Sequence, residues 1–401
     1  MALHWKTVRN MHAGNQVTDF RLSRSTNHYP TDPESIWWSA LVDLSGISIN
    51  DFEAQVLASY PQDLLIPNDY DHYDRAQVSS RQIVAIFARR ILLSSLNQNG
   101  ANFSVTGVHL GSIIDPELLD FSAQIEEVPS AKIPVSKGTI ITAVIDDSIA
   151  FAHNLFRDGL TSTRVAFANI LTVKPNRSGR DKTYGRTYDK AAIDDLLKTC
   201  TTNDLLDEQK FYASVGLFDA HDNEVSAVAL RRSHGTHVMA LATGYSMSQP
   251  PPDRPIICAL LPSHVTQDST GQSTLPSLIL ALKRIQRQAA QFRLPDRKRP
   301  PVVVNFSYGN FGGPHDGTGP IDRVIAQFLG DESPRKFEQE MRLVLPAGNG
   351  NLQRIHAKLA FDKGLAANQE RSISLRSQMT EPLATCRCGC PIAAQHQSHP
   401  L

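Results

Sequence analysis

Residues 139–147 read TIITAVIDD, an apolar and β-branched run that stops abruptly at two acids, Asp146 and Asp147. A strand with one wet face alternates apolar and polar residues, whereas an unbroken apolar run of this length belongs to a strand covered on both faces, as in a parallel sheet. Polar residues at the carboxyl end of such a strand line the ligand crevice of an open α/β sheet. Two further runs have the same form. PVVVNF at 301–306 leads into Ser307, Tyr308 and Gly309, and RLVL at 342–345 leads into PAGNG at 346–350. Residues 256–261 add a short strand, and 275–292 and 321–329 read as helices between the strands. Strand alternating with helix predicts an α/β fold built on a parallel, doubly wound sheet.

On the amino-terminal side the signals change. RQIVAIFARRILLSSL (81–96), preceded by Ser79 and Ser80 as caps, puts Ile83, Val84, Phe87, Ile91 and Leu92 on one helical face. Residues 1–133 are therefore expected to form a mainly helical accessory module, closed by a proline-bearing linker over 125–137. Asp69, Asp71 and Asp74 alternate with Tyr70 and Tyr73 but lack the glycine and terminal glutamate of an EF-hand loop, so they read as a solvated loop. Residues 174–207 read as a polar surface excursion carrying one helical pattern, AAIDDLLKTC. The organisation that follows is an accessory module with linker at 1–133, a main domain at 134–375 and a compositionally distinct tail at 376–401.

Lys+Arg and Asp+Glu balance at 40 each in 401 residues, so no field favours nucleic acid or an anionic membrane. No secretion signal or membrane-length apolar run is present in the sequence. Five cysteines make no disulfide framework: Cys200 and Cys258 are isolated, and Cys386, Cys388 and Cys390 crowd the tail. These features point to the cytoplasm, with no nucleic acid, no membrane, no metal and no cofactor among the expected partners.

Residues 230–244, LRRSHGTHVMALATG, open a helix at a histidine: Ser233 is the expected N-cap and Gly244 the expected left-handed stop. Asp146, His234 and Asn349 then stand at three strand or helix ends. A carboxylate can orient an imidazole, the imidazole can take a proton from a serine, and an amide can stabilise the resulting oxyanion.

Four blocks in this order resemble the subtilisin-like serine proteases, the subtilase family: AVIDDSIAFAH, SHGTHV, VVVNFSYG and LPAGNGN. The resemblance implies a subtilisin-like three-layer α/β sandwich and a serine endopeptidase acting on a peptide or protein substrate. It implies Asp146 as the orienting acid, His234 as the general base and Asn349 as the oxyanion donor, with Ser307, Tyr308 and Gly309 as the substrate-binding edge. This chain departs from the family at two places. Asp147 and Ser148 stand where Ser or Thr and then Gly are usual, and no Gly-Thr-Ser-type block follows Asn349. A peptide-binding remnant without hydrolytic activity is therefore the alternative reading.

Ser246 imitates the nucleophile in spelling, but 12 residues at 1.5 Å rise would separate it from His234 by roughly 18 Å. A rival reading makes His234, His237 and Asp146 metal ligands; without a zincin glutamate, His237 reads as a packing residue. The CRCGC tail segment does not close a tetrahedral site. From about Arg376 the composition shifts, and the tail is expected to arise from a frameshift or truncating mutation. One synonymous codon choice for 376–391 encodes a strand-like Tyr-Val-Gln-Val-Trp in the shifted frame.

Overall fold

The structure, a computed structural model, describes residues 33–125, 132–175, 182–218, 233–268, 271–308, 319–329 and 339–346. It also describes Thr18, Leu22, Gly317 and Gly348, and the backbone of Arg371–Leu375 and Ala384–Cys388. By its contacts the chain divides into two units, His12–Gly348 and the combination of Met1–Met11 with Asn349–Leu401. Within the second, Arg371–Leu375 and Ala384–Cys388 pair as antiparallel strands.

The amino-terminal region is a sheet, which corrects the expectation of a mainly helical module. Its elements are β1 (Trp37–Leu44), α1 (Ile49–Ser59), β2 (Leu64–Leu65), β3 (Gln82–Arg89), α2 (Arg90–Asn99) and β4 (Val105–Ile114). The strands pair antiparallel in the order β2-β3-β1-β4, the split βαβ arrangement. The stretch read as one helix is half strand and half helix, dividing between Arg89 and Arg90. Val84, Ala85, Ile86 and Phe87 are all buried, because β3 meets α2 and also a helix from the second half of the chain. A run covered on both faces has no polar positions to reveal its period, so strand and helix look alike in sequence.

The central sheet contains β5 (Ile141–Asp146), β6 (Val165–Ile170), β7 (Arg186–Asp189), β8 (Ile256–Leu260), β9 (Val302–Phe306) and β10 (Met341–Val344), ordered β7-β6-β8-β5-β9-β10. All neighbours run parallel except β7, which closes one edge antiparallel. The molecule is thus a mixed α/β protein with parallel and antiparallel sheets. Helices cover both faces of the central sheet: α3 (Lys190–Cys200), α4 (Glu208–Ser214) and α5 (His234–Thr243) pack on one, α6 (Leu275–Ala289) and α7 (Pro320–Leu329) on the other. Side-chain alternation sorts β5 between them, with Ile141, Ala143 and Ile145 in the core beside α6 and Val144 in the core beside Met239 of α5.

Every residue of α6 except Gln286 is buried, because the helix lies between the two sheets and touches β1 and β3 on one side and β5, β6 and β8 on the other. Its charged side chains are consequently paired. Arg284 Nε and Nη2 donate to the two oxygens of Asp69 at 2.7 and 3.0 Å, Nη2 also reaches Tyr184 O, and Lys182 Nζ lies 3.3 Å from Asp69. Lys283 Nζ meets Asp74 at 3.1 Å. The expected solvated loop is therefore corrected: Asp69 is 0 % exposed, and Asp71 is buried and caps the short helix His72–Ala76. The surface excursion is also corrected in part, since 174–207 supplies β7 and the buried ring of Tyr184, 5.2 Å from that of Phe87.

Candidate active site

β5 delivers Asp146 by parity. Val144 faces α5, so Asp146, two residues on, faces it too, at the carboxyl end of a strand flanked by β8 and β9. Leu261 N donates to Asp146 O at 2.8 Å, which fixes the end of the strand. His234 is the first residue of α5, and its Nδ1 lies 2.9 Å from Asp146 Oδ1. The carboxylate is 7 % exposed and the imidazole side chain 63 % exposed, so the acid is fixed in the fold and the ring stands in the open.

Two residues beside His234, neither given a role by sequence reasoning, hold this arrangement. A Cβ on Gly235 would lie 2.0 Å from Asp147 O and 2.9 Å from Asp146 Cβ, so only glycine lets α5 approach the end of β5 this closely. Thr236 Oγ1 donates to Ser148 O at 3.0 Å and accepts from Ala150 N at 2.7 Å, tying the loop after Asp146 to the helix. Inside that loop Ser148 adopts φ +50°, the left-handed region that favours glycine. A serine thus holds a backbone angle that glycine adopts more readily. The signal for Gly235 and Thr236 lay in the SHGTHV block itself. At the other end Gly244 is not left-handed: φ is −70°, and its N–H donates to Ala240 O. Ser233 stands at the N-cap position without a side-chain cap bond.

Burial pushes the Asp146 carboxyl up to about 6, against the opposing pull of its hydrogen bond to His234. The same hydrogen bond raises His234, outweighing desolvation, and the charges of Asp146 and Asp147 add to it. Asp147 N donates to Asp146 Oδ1 at 2.8 Å, and Asp147 Oδ2 accepts from Thr266 Oγ1 at 2.7 Å. Asp146 Oδ2 is buried and has no hydrogen-bond partner among the described residues. One ligand atom from each of Asp146, Asp147 and His234 lies within 4.8 Å of the others, a set that could hold a metal ion. His237, weighed from sequence as a ligand, is exposed and outside this set.

Ser307 and Tyr308 follow β9, whose Phe306 pairs with Ile145, so Ser307 stands level with Asp146 on the neighbouring strand. Asn305 Nδ2 donates to Ser307 Oγ at 2.9 Å. The Tyr308 ring stacks on Phe306 at 5.8 Å, its hydroxyl donates to Asp268 O, and burial raises its pKa. Gly309 and Asn349 lie outside the described residues. Ser246 is exposed beyond the far end of α5, its hydroxyl 2.8 Å from that of Ser248. The structure therefore joins Asp146 to His234 and sets Ser307 and Tyr308 on the adjacent strand end.

No protein-family model and no curated protein matches the chain. Among solved structures it is similar to the CspB protease of Clostridium perfringens, with 22% identity and a TM-score of 0.34, over 53% of this chain and 37% of that one. The chain thus spans little more than a third of that protein's length, and a likeness of this size leaves the chemistry to be argued from the site. Among the described residues no helix is long and apolar enough to cross a membrane.

Proposed function

We propose that this chain carries the acid and base of a subtilisin-like serine endopeptidase within a subtilisin-like α/β sandwich, preceded by an accessory module at 1–133. The observation that supports it is the Nδ1 to Oδ1 contact of 2.9 Å between an open imidazole and a buried carboxylate. With Nδ1–H donating to Asp146, the lone pair sits on Nε2, where it takes the proton of a serine as its oxygen attacks a peptide carbonyl. Asn349 is assigned to the oxyanion, and Ser307, Tyr308 and Gly309 to main-chain pairing with an extended peptide. The working compartment is the cytoplasm.

A second reading is a peptide-binding protein without hydrolysis, supported by residues 350–401, which contain no Gly-Thr-Ser-type block. Removing the serine of a triad leaves only about 10³–10⁴-fold acceleration over water. Fluorophosphonate labelling separates the two. The 401-residue chain is expected to stay unlabelled, while the product of the shifted frame joined after residue 375 is labelled on one serine and loses that label in His234→Ala. If the longer product has no reactive serine yet binds peptide, the second reading holds.

A further inference from the structure

We propose that Asp146, Asp147 and His234 bind a divalent transition-metal ion of the zinc type. The inference goes beyond the peptidase reading and rests on the local geometry alone. Asp147 is the residue that creates the site, and it stands where the family resemblance leads one to expect Ser or Thr.

The three donor atoms lie within 4.8 Å of one another. Zinc bonds of about 2.0–2.2 Å place neighbouring tetrahedral ligands roughly 3.4 Å apart, and the two side chains that must close the difference are the more exposed ones. His234 is 63 % exposed, and Asp147 is half-buried on the loop after β5. Asp146 is the fixed member, and its Oδ2 is the second observation that points to a ligand. It is a buried carboxylate oxygen with no partner among the described residues, on a side chain that is 7 % exposed. An unsatisfied charged oxygen in such a place is costly, and a cation satisfies it directly. Among the described residues neither carboxylate forms an ion pair with lysine or arginine; the recorded ion pair of Asp146 is with His234 itself. Two acids and one imidazole thus leave a local negative charge that a divalent ion neutralises.

The donor set chooses the metal. Calcium takes six to eight oxygens, whereas one nitrogen and two carboxylates with an open fourth position suit zinc. Both carboxylates are already oriented by further hydrogen bonds, Asp147 by Thr266 Oγ1 and Asp146 by Asp147 N, as metal-binding carboxylates commonly are. A bound ion occupies the imidazole and removes it as a base, so the metal would act as a brake on the proposed chemistry.

The test is zinc titration of the full 401-residue chain against a chromophoric chelator, with Cys386, Cys388 and Cys390 replaced by serine so that tail thiols take no metal. One zinc per chain is expected, at least tenfold weaker binding in Asp147→Asn and in His234→Ala, and no change in His237→Ala. Cobalt in place of zinc should give the intense visible bands of a four-coordinate site, lost in Asp147→Asn. Circular dichroism checks that each variant is folded. Zinc stoichiometry near zero in the serine-tail chain, or an Asp147→Asn variant that binds as tightly as its parent, overturns the proposal. Failure to label with fluorophosphonate leaves this result untouched, so the two readings fail separately.

Discussion

His234 and Asp146 meet at the open end of the central sheet, and a second histidine and aspartate, His109 and Asp43, meet at 3.4 Å between β4 and β1. The second pair is occupied: Arg323 of α7 reaches Asp43 Oδ2 at 2.5 Å and His109 Nε2 at 3.0 Å. Burial alone would raise Asp43, but His109 and Arg323 outweigh it and hold the carboxyl below its ordinary value. Asp69 behaves likewise, held low by Arg284 and Lys182 despite complete burial. Among the described residues no guanidinium stands beside Asp146, and there burial wins. What separates a structural acid from an available one here is whether a cation has been folded in with it.

Five variants test that contrast. Arg284→Ala strips the bidentate partner from a fully buried Asp69 and should cost about 3–5 kcal/mol in denaturant unfolding. A loss below about 1 kcal/mol would mean that Lys182 alone suffices, and the contrast would weaken.

Asp146→Asn tests the open end through pH. The folded pKa of about 6 lies above the ordinary 3.8, so between these values the folded state holds a proton that the unfolded state has released. Stability therefore falls as pH rises through that window and stays lower above it. The asparagine variant should lack this fall, a difference on the order of 3 kcal/mol, and NMR titration should find His234 at a lower pKa. Asp43→Asn should do the reverse, removing a stability that the native chain has above the ordinary carboxyl range and loses as pH drops below it. Parallel pH profiles for the two variants would break the comparison.

Arg323→Met should convert the closed pair toward the open one. Loss of the guanidinium leaves Asp43 short of a donor, at a cost of about 1–3 kcal/mol, and the Asp43 pKa should rise. Ser148→Gly should have the smallest effect, a gain of about 1 kcal/mol or less from relief of the left-handed serine. A melting temperature below that of the native chain would show that the Ser148 side chain contributes more than its backbone angle costs.

The elements legible in the sequence were those whose signal is local. β5 and β9 announce themselves as unbroken apolar runs ending in polar turns, and α5 as a helix opened by its histidine. What stayed hidden depends on partners far along the chain. Asp69 looks like a loop residue until Arg284, 215 positions away, is folded against it. The strand character of β3 is masked because α2 and α6 cover both its faces. Asp147 reads in sequence only as a second acid after Asp146, and its hydroxyl partner Thr266 comes from a segment 119 residues later.

The entombed helix α6 also bears on the order in which the molecule is made. On a ribosome β1–β4 emerge long before residues 275–289, so the sheet face that will receive α6 spends that interval without it. Chains in this state expose apolar surface and strand edges, the conditions under which aggregation competes with folding. The amino-terminal sheet cannot reach its final state when its own synthesis is complete; it waits for a helix that must at the same moment close the core of the central sheet. Folding of the two halves is thereby tied to a single late event.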